Sequence, residues 1–317
     1  MQRYRLTLTP QAPVATPFHS GTLFGHLCWA YRYRHGEAAL LEWLETFRER
    51  PLLLSDAMPE GYLPRPVVAP PAGERREALA ERLGRGDLVE GYKRLKQYKK
   101  RRWISERAWE ALRDGYDEGA LYEHWLREEG SAPPTAAAQV RPHNRIDRQR
   151  ATTPESGGLY FVETRVYPRG ARLTVYVETD ALDETELAGL FGDVGHWGYG
   201  RDASSGLGRF RVEVRPYEGS LFDHPGSRRL SLSHGAIDGS TPRARYRLHT
   251  HYGRLGGTFA QDDTSPFKRP VLLAEPGATF DGAGGLAGAL LQGVHGERPE
   301  IRHHAFHLTL PFTDATA

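Results

Sequence analysis

The stretch Gly195-His196-Trp197-Gly198-Tyr199-Gly200-Arg201-Asp202-Ala203-Ser204-Ser205-Gly206-Leu207-Gly208-Arg209-Phe210 joins a helical pattern to a strand pattern, and the fold reads outward from it. Five glycines and two serines fall within its sixteen positions. Glycine permits positive φ and close backbone approach, so such a loop can turn N–H groups toward an anion. Arg201 and Arg209 add the means for charge-assisted phosphate contacts, with Gly198, Gly200, Ser204, Ser205, Gly206 and Gly208 as backbone or hydroxyl donors. No Gly-Lys-Ser/Thr ending follows, and the spacing is not Gly-x-Gly-x-x-Gly, so neither nucleotide-binding fingerprint is present. The competing reading is a flexible turn that leads into a strand.

Upstream, Asp183 to Val194 reads as a helix. Asp183 caps it, Glu186 completes a capping box, and Leu187, Leu190, Phe191 and Val194 face inward. Downstream, Arg209–Arg215 is a strand with Phe210, Val212 and Val214 on one face. Before the helix, Tyr160–Val166 and Ala171–Thr179 alternate around Pro168-Arg169-Gly170, which predicts a β-hairpin. At the N-terminus Arg3–Thr9 alternates, with Tyr4, Leu6 and Leu8 on the buried side. A helix follows with Ser20 as N-cap and Leu23, Phe24, Leu27 and Tyr31 as its stripe. Gly36 breaks it, Leu40, Leu41, Leu44 and Phe47 mark a second helical piece, and Pro51–Ser55 is a short buried strand.

With residues 64–154 set aside as an insertion, the order is strand, helix, strand, strand, helix, strand. That is the ferredoxin-like βαββαβ order shared by RNA-recognition domains, which makes residues 1–217 an α+β domain. Within the insertion a basic helical stretch covers Tyr92–Ile104, two short helices cover Glu106–Leu112 and Glu118–Glu128, and Ser131–Ala138 is a linker. Residues 218–317 read as a second, smaller α+β unit, expected to be ferredoxin-like. There Arg245–Tyr252 alternates, with Tyr246, Leu248, Thr250 and Tyr252 on one face and Arg245, Arg247, His249 and His251 on the other. Val271–Ala274 and His304–Leu310 are further strands, and Gly285–Leu291 a short helix.

A chain of 317 residues is long enough for two cores. Its mean hydropathy of −0.58 and the lack of a long apolar run give no membrane span. One cysteine, Cys28, excludes an internal disulfide and fits a reducing cytoplasm. The net charge is only +2, and four of the five lysines, Lys93, Lys96, Lys99 and Lys100, share one short segment. That distribution suggests a local polyanion contact rather than a basic surface.

Three groups carry chemistry. His19, between Phe18 and Ser20, is placed to serve either as a general base toward a ribose hydroxyl, as a phosphate or base contact, or as packing. The block Lys93–Trp103, including Lys99, Lys100, Arg101 and Arg102, mixes cations with Tyr92, Tyr98 and Trp103. It suits phosphates and unpaired bases, and equally a solvated helix. His143-Asn144-Arg145-Ile146-Asp147-Arg148 offers an amide for base edges and two arginines, Arg145 and Arg148, for a phosphate. Asp147 is alternatively a structural partner for them. His249-x-His251 and the group His303, His304 and His307 lack the cysteines or carboxylates of a typical zinc site and read as a basic edge.

Together these residues resemble a known family. Thr16–Ala30 and Leu54-Ser55-Asp56-Ala57-Met58-Pro59-Glu60-Gly61-Tyr62-Leu63-Pro64-Arg65-Pro66, then the basic stretch to Ile104, the Asn144–Arg148 motif and Gly198–Phe210, follow one another as in the RAMP proteins of CRISPR systems. More narrowly they are similar to subunit four of the type III-A (Csm) effector complex, the Cas5-like subunit. The resemblance covers about the first 215 residues, with Ala274–Phe280 and Pro311-Phe312 fitting in the tail. It implies a non-catalytic subunit without metal or cofactor. Such a subunit grips the 5′ handle of the crRNA, docks the large polymerase-palm subunit and adjoins the backbone RAMP subunits in antiviral defence. The alternative is a metal-independent RAMP endoribonuclease with His19 as base.

Overall fold

The structure, a computed structural model, describes residues 1–128, 132–282 and 285–315. Ser131 of the expected linker lies outside them. The chain opens with β1 (Gln2–Pro10), α1 (Ser20–His35), α2 (Glu37–Glu45) and β2 (Leu53–Leu54). Next come β3 (Met58–Pro59), β4 (Tyr62–Pro64), α3 (Gly73–Gly84), α4 (Leu88–Lys100), β5 (Trp103–Ser105), α5 (Glu106–Leu112) and α6 (Glu118–Arg127). A ribbon of β6 (Ala137–Asn144) and β7 (Leu159–Val166) precedes β8 (Leu173–Thr179), α7 (Glu184–Trp197) and β9 (Phe210–Pro216). The remainder is β10 (Arg228–Ser231), β11 (Leu248–His251), β12 (Val271–Ala274), β13 (Thr279–Asp281), β14 (Gly288–Leu291), β15 (His303–Phe306) and β16 (Thr309–Phe312).

The main sheet has the order β2-β8-β1-β9, antiparallel at every step, with β3 also on β8. Leu6 of β1 faces Val175 on one side and Val214 on the other, so the alternation of β1 places Tyr4, Leu6 and Leu8 in one apolar layer. Leu23, Phe24 and Leu27 of α1 and Leu187, Leu190, Phe191 and Val194 of α7 close over that layer. Each such side chain contributes roughly 1.5–3 kcal/mol by leaving water. In α2 the buried residue is Trp43, while Leu41 is exposed.

Several local expectations are corrected. Ser20 is not the cap of α1; His19 holds that position without a side-chain bond, and Ser20 is buried as the first helical residue. Its N–H donates instead to Asp56 Oδ1 at 3.0 Å, so a carboxylate 36 residues away caps the helix. Asp183 caps α7 by accepting from the Glu186 N–H, but the Glu186 carboxylate turns away to His35. The hairpin around Pro168-Arg169-Gly170 does not form: β7 pairs with β6 and β8 with β1. The basic helix stops at Lys100, and Trp103–Ser105 is a strand paired with β4. Gly285–Leu291 is not helical, because β14 at its end pairs with β15.

The helical part of the insertion, residues 73–127, packs onto the rest of the molecule and has an interior of its own. Gly91 of α4 sits against the Ala80 carbonyl of α3 so closely that a Cβ would lie 1.8 Å from that oxygen. Leu79, Leu83, Leu95, Tyr98, Leu121, Tyr122 and Trp125 fill the interior, and Trp109 and Tyr116 pack on Phe312 of β16. Buried Arg65 donates to the carbonyls of Tyr98 and Lys99, satisfying the end of α4. Apolar contacts therefore run unbroken from the main sheet through the insertion to β10 and β16. Among the described residues of 218–317 there is no α-helix, so βαββαβ is not traced twice.

Three enclosed histidines, His304 and His307 buried and His26 half-buried, should make the fold acid-sensitive. Burial pushes His26, His304 and His307 from 6.5 to about 4. Their imidazoles are engaged with the Gly200 N–H, the Leu52 carbonyl and the Ala236 carbonyl respectively. Between pH 6.5 and 4 the unfolded chain therefore binds more protons than the folded one. Stability should be complete above about pH 6.5 and fall toward pH 4, at up to roughly 1.4 kcal/mol per pH unit for each histidine. Urea midpoints measured from pH 7.5 to 4.5 check this, and a flat profile would contradict it.

Candidate nucleic-acid interface

The glycine loop is built by docking rather than by flexibility. Tyr199 is fully buried; its ring stacks on Phe18 at 4.6 Å between centroids. Its hydroxyl donates to the Pro17 carbonyl at 2.7 Å and accepts from the His19 N–H at 3.2 Å. The Gly200 N–H donates to His26 Nε2 at 2.9 Å, which requires a neutral imidazole, and the Arg201 N–H donates to Thr16 Oγ1 at 2.9 Å. The Tyr199 N–H donates to the Gly208 carbonyl and the Gly208 N–H to the Pro13 carbonyl. Most of the loop's donors are thus spent inside the protein. Backbone N–H groups of Asp202, Ala203 and Ser204 have no internal acceptor among the described residues, and they sit where Asp202 turns left-handed at φ 62°.

The expected loop contacts therefore divide in two. Gly198 and Gly208 are buried, and a Cβ at either would strike a backbone oxygen, Leu207 O at 2.5 Å or Tyr199 O at 2.0 Å. Gly200 lies against Thr16. These three serve packing. Arg201, Ser204, Ser205 and Arg209 are exposed on the rim, Arg201 beside Asp202 at 3.3 Å, and Gly206 faces open space. Phe18 and Ser20 are buried and cannot stack on or bond to a base.

The β6–β7 ribbon begins beside this loop. Val14 and Arg165 exchange backbone hydrogen bonds of 2.9 and 2.8 Å, one residue from Pro13. From that base to Asn144 the ribbon runs about 20 Å at the usual strand rise. Asn144, Arg145 and Arg148 lie at its far end, so they are not neighbours of the glycine loop. Asn144 Oδ1 accepts from Thr153 Oγ1 at 2.9 Å, and Asp147 Oδ1 accepts the N–H groups of Gln149 and Arg150, fixing the turn. Arg141, Arg145, Arg148 and Arg150 are exposed together with Val140, Ile146, Leu159, Tyr160 and Phe161. A two-stranded ribbon with bare apolar and cationic side chains on its surface has no core to bury them in and suits a partner with bases and phosphates.

On α4, Lys99 and Lys100 point to solvent, as does Arg102 just beyond it. Arg101 instead lies over the rings of Tyr98 and Trp125, at 4.9 and 5.0 Å, and Tyr98 is buried, so neither is free for RNA.

The histidines converge where the sequence gives no hint of it. His19, His234 and His249 stand with ring centroids 4.1, 5.3 and 4.7 Å apart pairwise. Buried Asp56 accepts from the backbone N–H of both Ser20 and His234, at 3.0 and 3.1 Å, and from His234 Nδ1 at 2.7 Å. Burial opposes charge on His234, but the Asp56 carboxylate outweighs it and raises its pKa. Burial pushes His19 down to about 3 and also lowers His249. The alternation of β11 is real but turned over. His249 and His251 face this cluster, while Leu248 and Tyr252, with Leu272 of β12, are exposed. Asp56, Tyr199, Thr16, His26 and His234 were not singled out; only Asp56 left a trace, as an acid ending the apolar run Leu52–Leu54.

This is an α+β chain whose surface carries, at separate places, a glycine loop, a cationic ribbon and a lysine helix, and among its described residues no helix is long and apolar enough to cross a membrane. No family profile and no curated protein matches it. Solved structures do. It matches a chain of the Csm1–Csm4 cassette in complex with AMPPNP at TM-score 0.59 and 17% identity over 98% of both chains. It matches the cassette in complex with cA3 at 0.58 and 17% over the same shares. It also matches a chain of the Csm3–Csm4 subcomplex of the type III-A CRISPR-Cas interference complex at 0.55 and 13%, over 98% of this chain and 99% of that one. The chain thus has the fold of a Csm4-like subunit.

Proposed function

We propose that the chain is a non-catalytic, RNA-binding subunit of a type III-A CRISPR interference complex, holding the 5′ handle of the crRNA. The observation that carries this reading is the match along nearly the whole chain to subunits solved within Csm1–Csm4 and Csm3–Csm4 assemblies. In this reading residues 1–217 form a ferredoxin-like RAMP domain with its insertion, and 218–317 a second unit. The rim of the glycine loop and the ribbon share the RNA. Arg201, Ser204, Ser205 and Arg209 meet phosphates at the ribbon's base, and Asn144, Arg145 and Arg148 meet the strand farther out. The exposed face of Leu248, Tyr252 and Leu272 is of the kind that a subunit interface covers, which supports docking of the large polymerase-palm subunit or a backbone subunit.

One observation favours a second reading, a metal-independent endoribonuclease. His19 has two imidazoles beside it, one of them the carboxylate-bound His234, and these are the residue types of general acid–base cleavage. Labelled repeat RNA incubated with the pure chain in chelator separates the two. We expect binding without a cut. A specific cut that disappears in His19→Ala would favour the nuclease.

A further inference from the structure

We propose that His19, His234 and His249 form a binding site for one divalent transition-metal ion of the zinc class. Their nearest ligand nitrogens all lie within 4.8 Å of one another. Around a tetrahedral ion with metal–nitrogen bonds of about 2.0–2.1 Å the nitrogens stand roughly 3.4 Å apart, so modest ring rotations close the site. The three side chains come from separate places: the cap position of α1, the segment after β10, and β11.

The support for them is already in place. Asp56 bonds His234 Nδ1, which leaves Nε2 as the nitrogen with a free lone pair, the carboxylate–histidine arrangement that orients metal-bound imidazoles. The same carboxylate holds the N–H of Ser20 and the N–H of His234. It therefore fixes the backbones that carry two of the ligands relative to each other. His19 and His249 are desolvated and favour the neutral form a metal requires. Three imidazoles with no thiolate suit zinc, cobalt, nickel or copper rather than magnesium or calcium, and leave one position for water or an RNA or protein group. An ion here would tie residue 19 to residues 234 and 249, stitching the first helix to the C-terminal sheets.

The test uses the tag-free full chain loaded with Zn²⁺ or Co²⁺ and dialysed. We expect one ion per chain by elemental analysis, the intense visible bands of tetrahedral Co²⁺, and a rise in melting temperature with added Zn²⁺. His249→Ala, at a half-buried position, should reduce uptake to background and abolish both spectrum and thermal shift. Asp56→Asn should weaken affinity roughly 10–100-fold. His251→Ala, outside the trio, should retain one ion. Less than stoichiometric uptake by the parent chain would overturn the proposal. So would retention in His249→Ala, or loss in His251→Ala. If Asp56→Asn fails to fold because the α1 cap is lost, His249→Ala still decides.

Discussion

Gly208→Val should cost most of the protein's stability, whereas Gly206→Ala should cost little and leave the loop's rim in place. Both glycines have positive φ, 71° and 87°. A left-handed conformation costs an L-residue roughly 1–2 kcal/mol, which is the whole expected cost at Gly206, where nothing lies within 4 Å of a Cβ. At Gly208 the Cβ would lie 2.0 Å from the Tyr199 carbonyl oxygen and 2.6 Å from its nitrogen, both backbone atoms that cannot swing aside. Overpacking adds about 1–3 kcal/mol, and the loss of the bonds tying Gly208 to Tyr199 and Pro13 comes on top. Against a typical stability of roughly 5–15 kcal/mol, that is enough to lower the melting temperature by many degrees. Thermal melts of the two variants check the division. Equal melting temperatures would mean that the loop is not docked as described. For the same reason RNA affinity is informative in Gly206 variants and uninformative in Gly208 variants.

The second large effect concerns the ribbon. Replacing Arg141, Arg145, Arg148 and Arg150 together by glutamine should leave the fold intact, since all four are exposed. If each meets one phosphate, the salt slope of RNA binding falls by about 0.7 per residue, and affinity near 0.1 M salt drops roughly 600-fold. Titrations of labelled handle RNA at several salt concentrations read both quantities. An unchanged slope would assign the ribbon to a protein partner. The matching experiment on α4 uses Lys99 and Lys100 only, because Arg101 is part of the packing around Trp125.

What the sequence made legible was local. The capped apolar stripe of 183–194, the alternation of 3–9 and the glycines between helix and strand each encode their own element, and each is present in the α+β fold. Pairing partners were not local. Residues 160–166 alternate, but their partner is an alanine- and proline-containing stretch that carries few strand signals, so the proline–glycine turn after them was mistaken for a hairpin. Alternation also fixes two faces without saying which one is inside. In β11 the histidines point inward, where His249 meets His19 at the cap of α1 and His251 meets His303 of β15. Of the RNA-binding candidates, the exposed arginines and lysines keep that availability. Phe18, Ser20 and the packing glycines do not, since their residue types serve a core as well as a ligand. The histidine cluster joins positions more than 200 residues apart and was beyond any reading of spacing.

Whether this chain holds the 5′ end of a guide RNA within a type III assembly shows in the RNA that travels with it. The chain should be expressed with the other subunits of such a complex and a repeat–spacer transcript, purified, and its RNA sequenced from the 5′ end. We expect one short RNA per complex with a uniform, repeat-derived 5′ end, and loss of that uniformity when this chain is omitted. RNA with scattered 5′ ends, or the same uniform end without this chain, would contradict it.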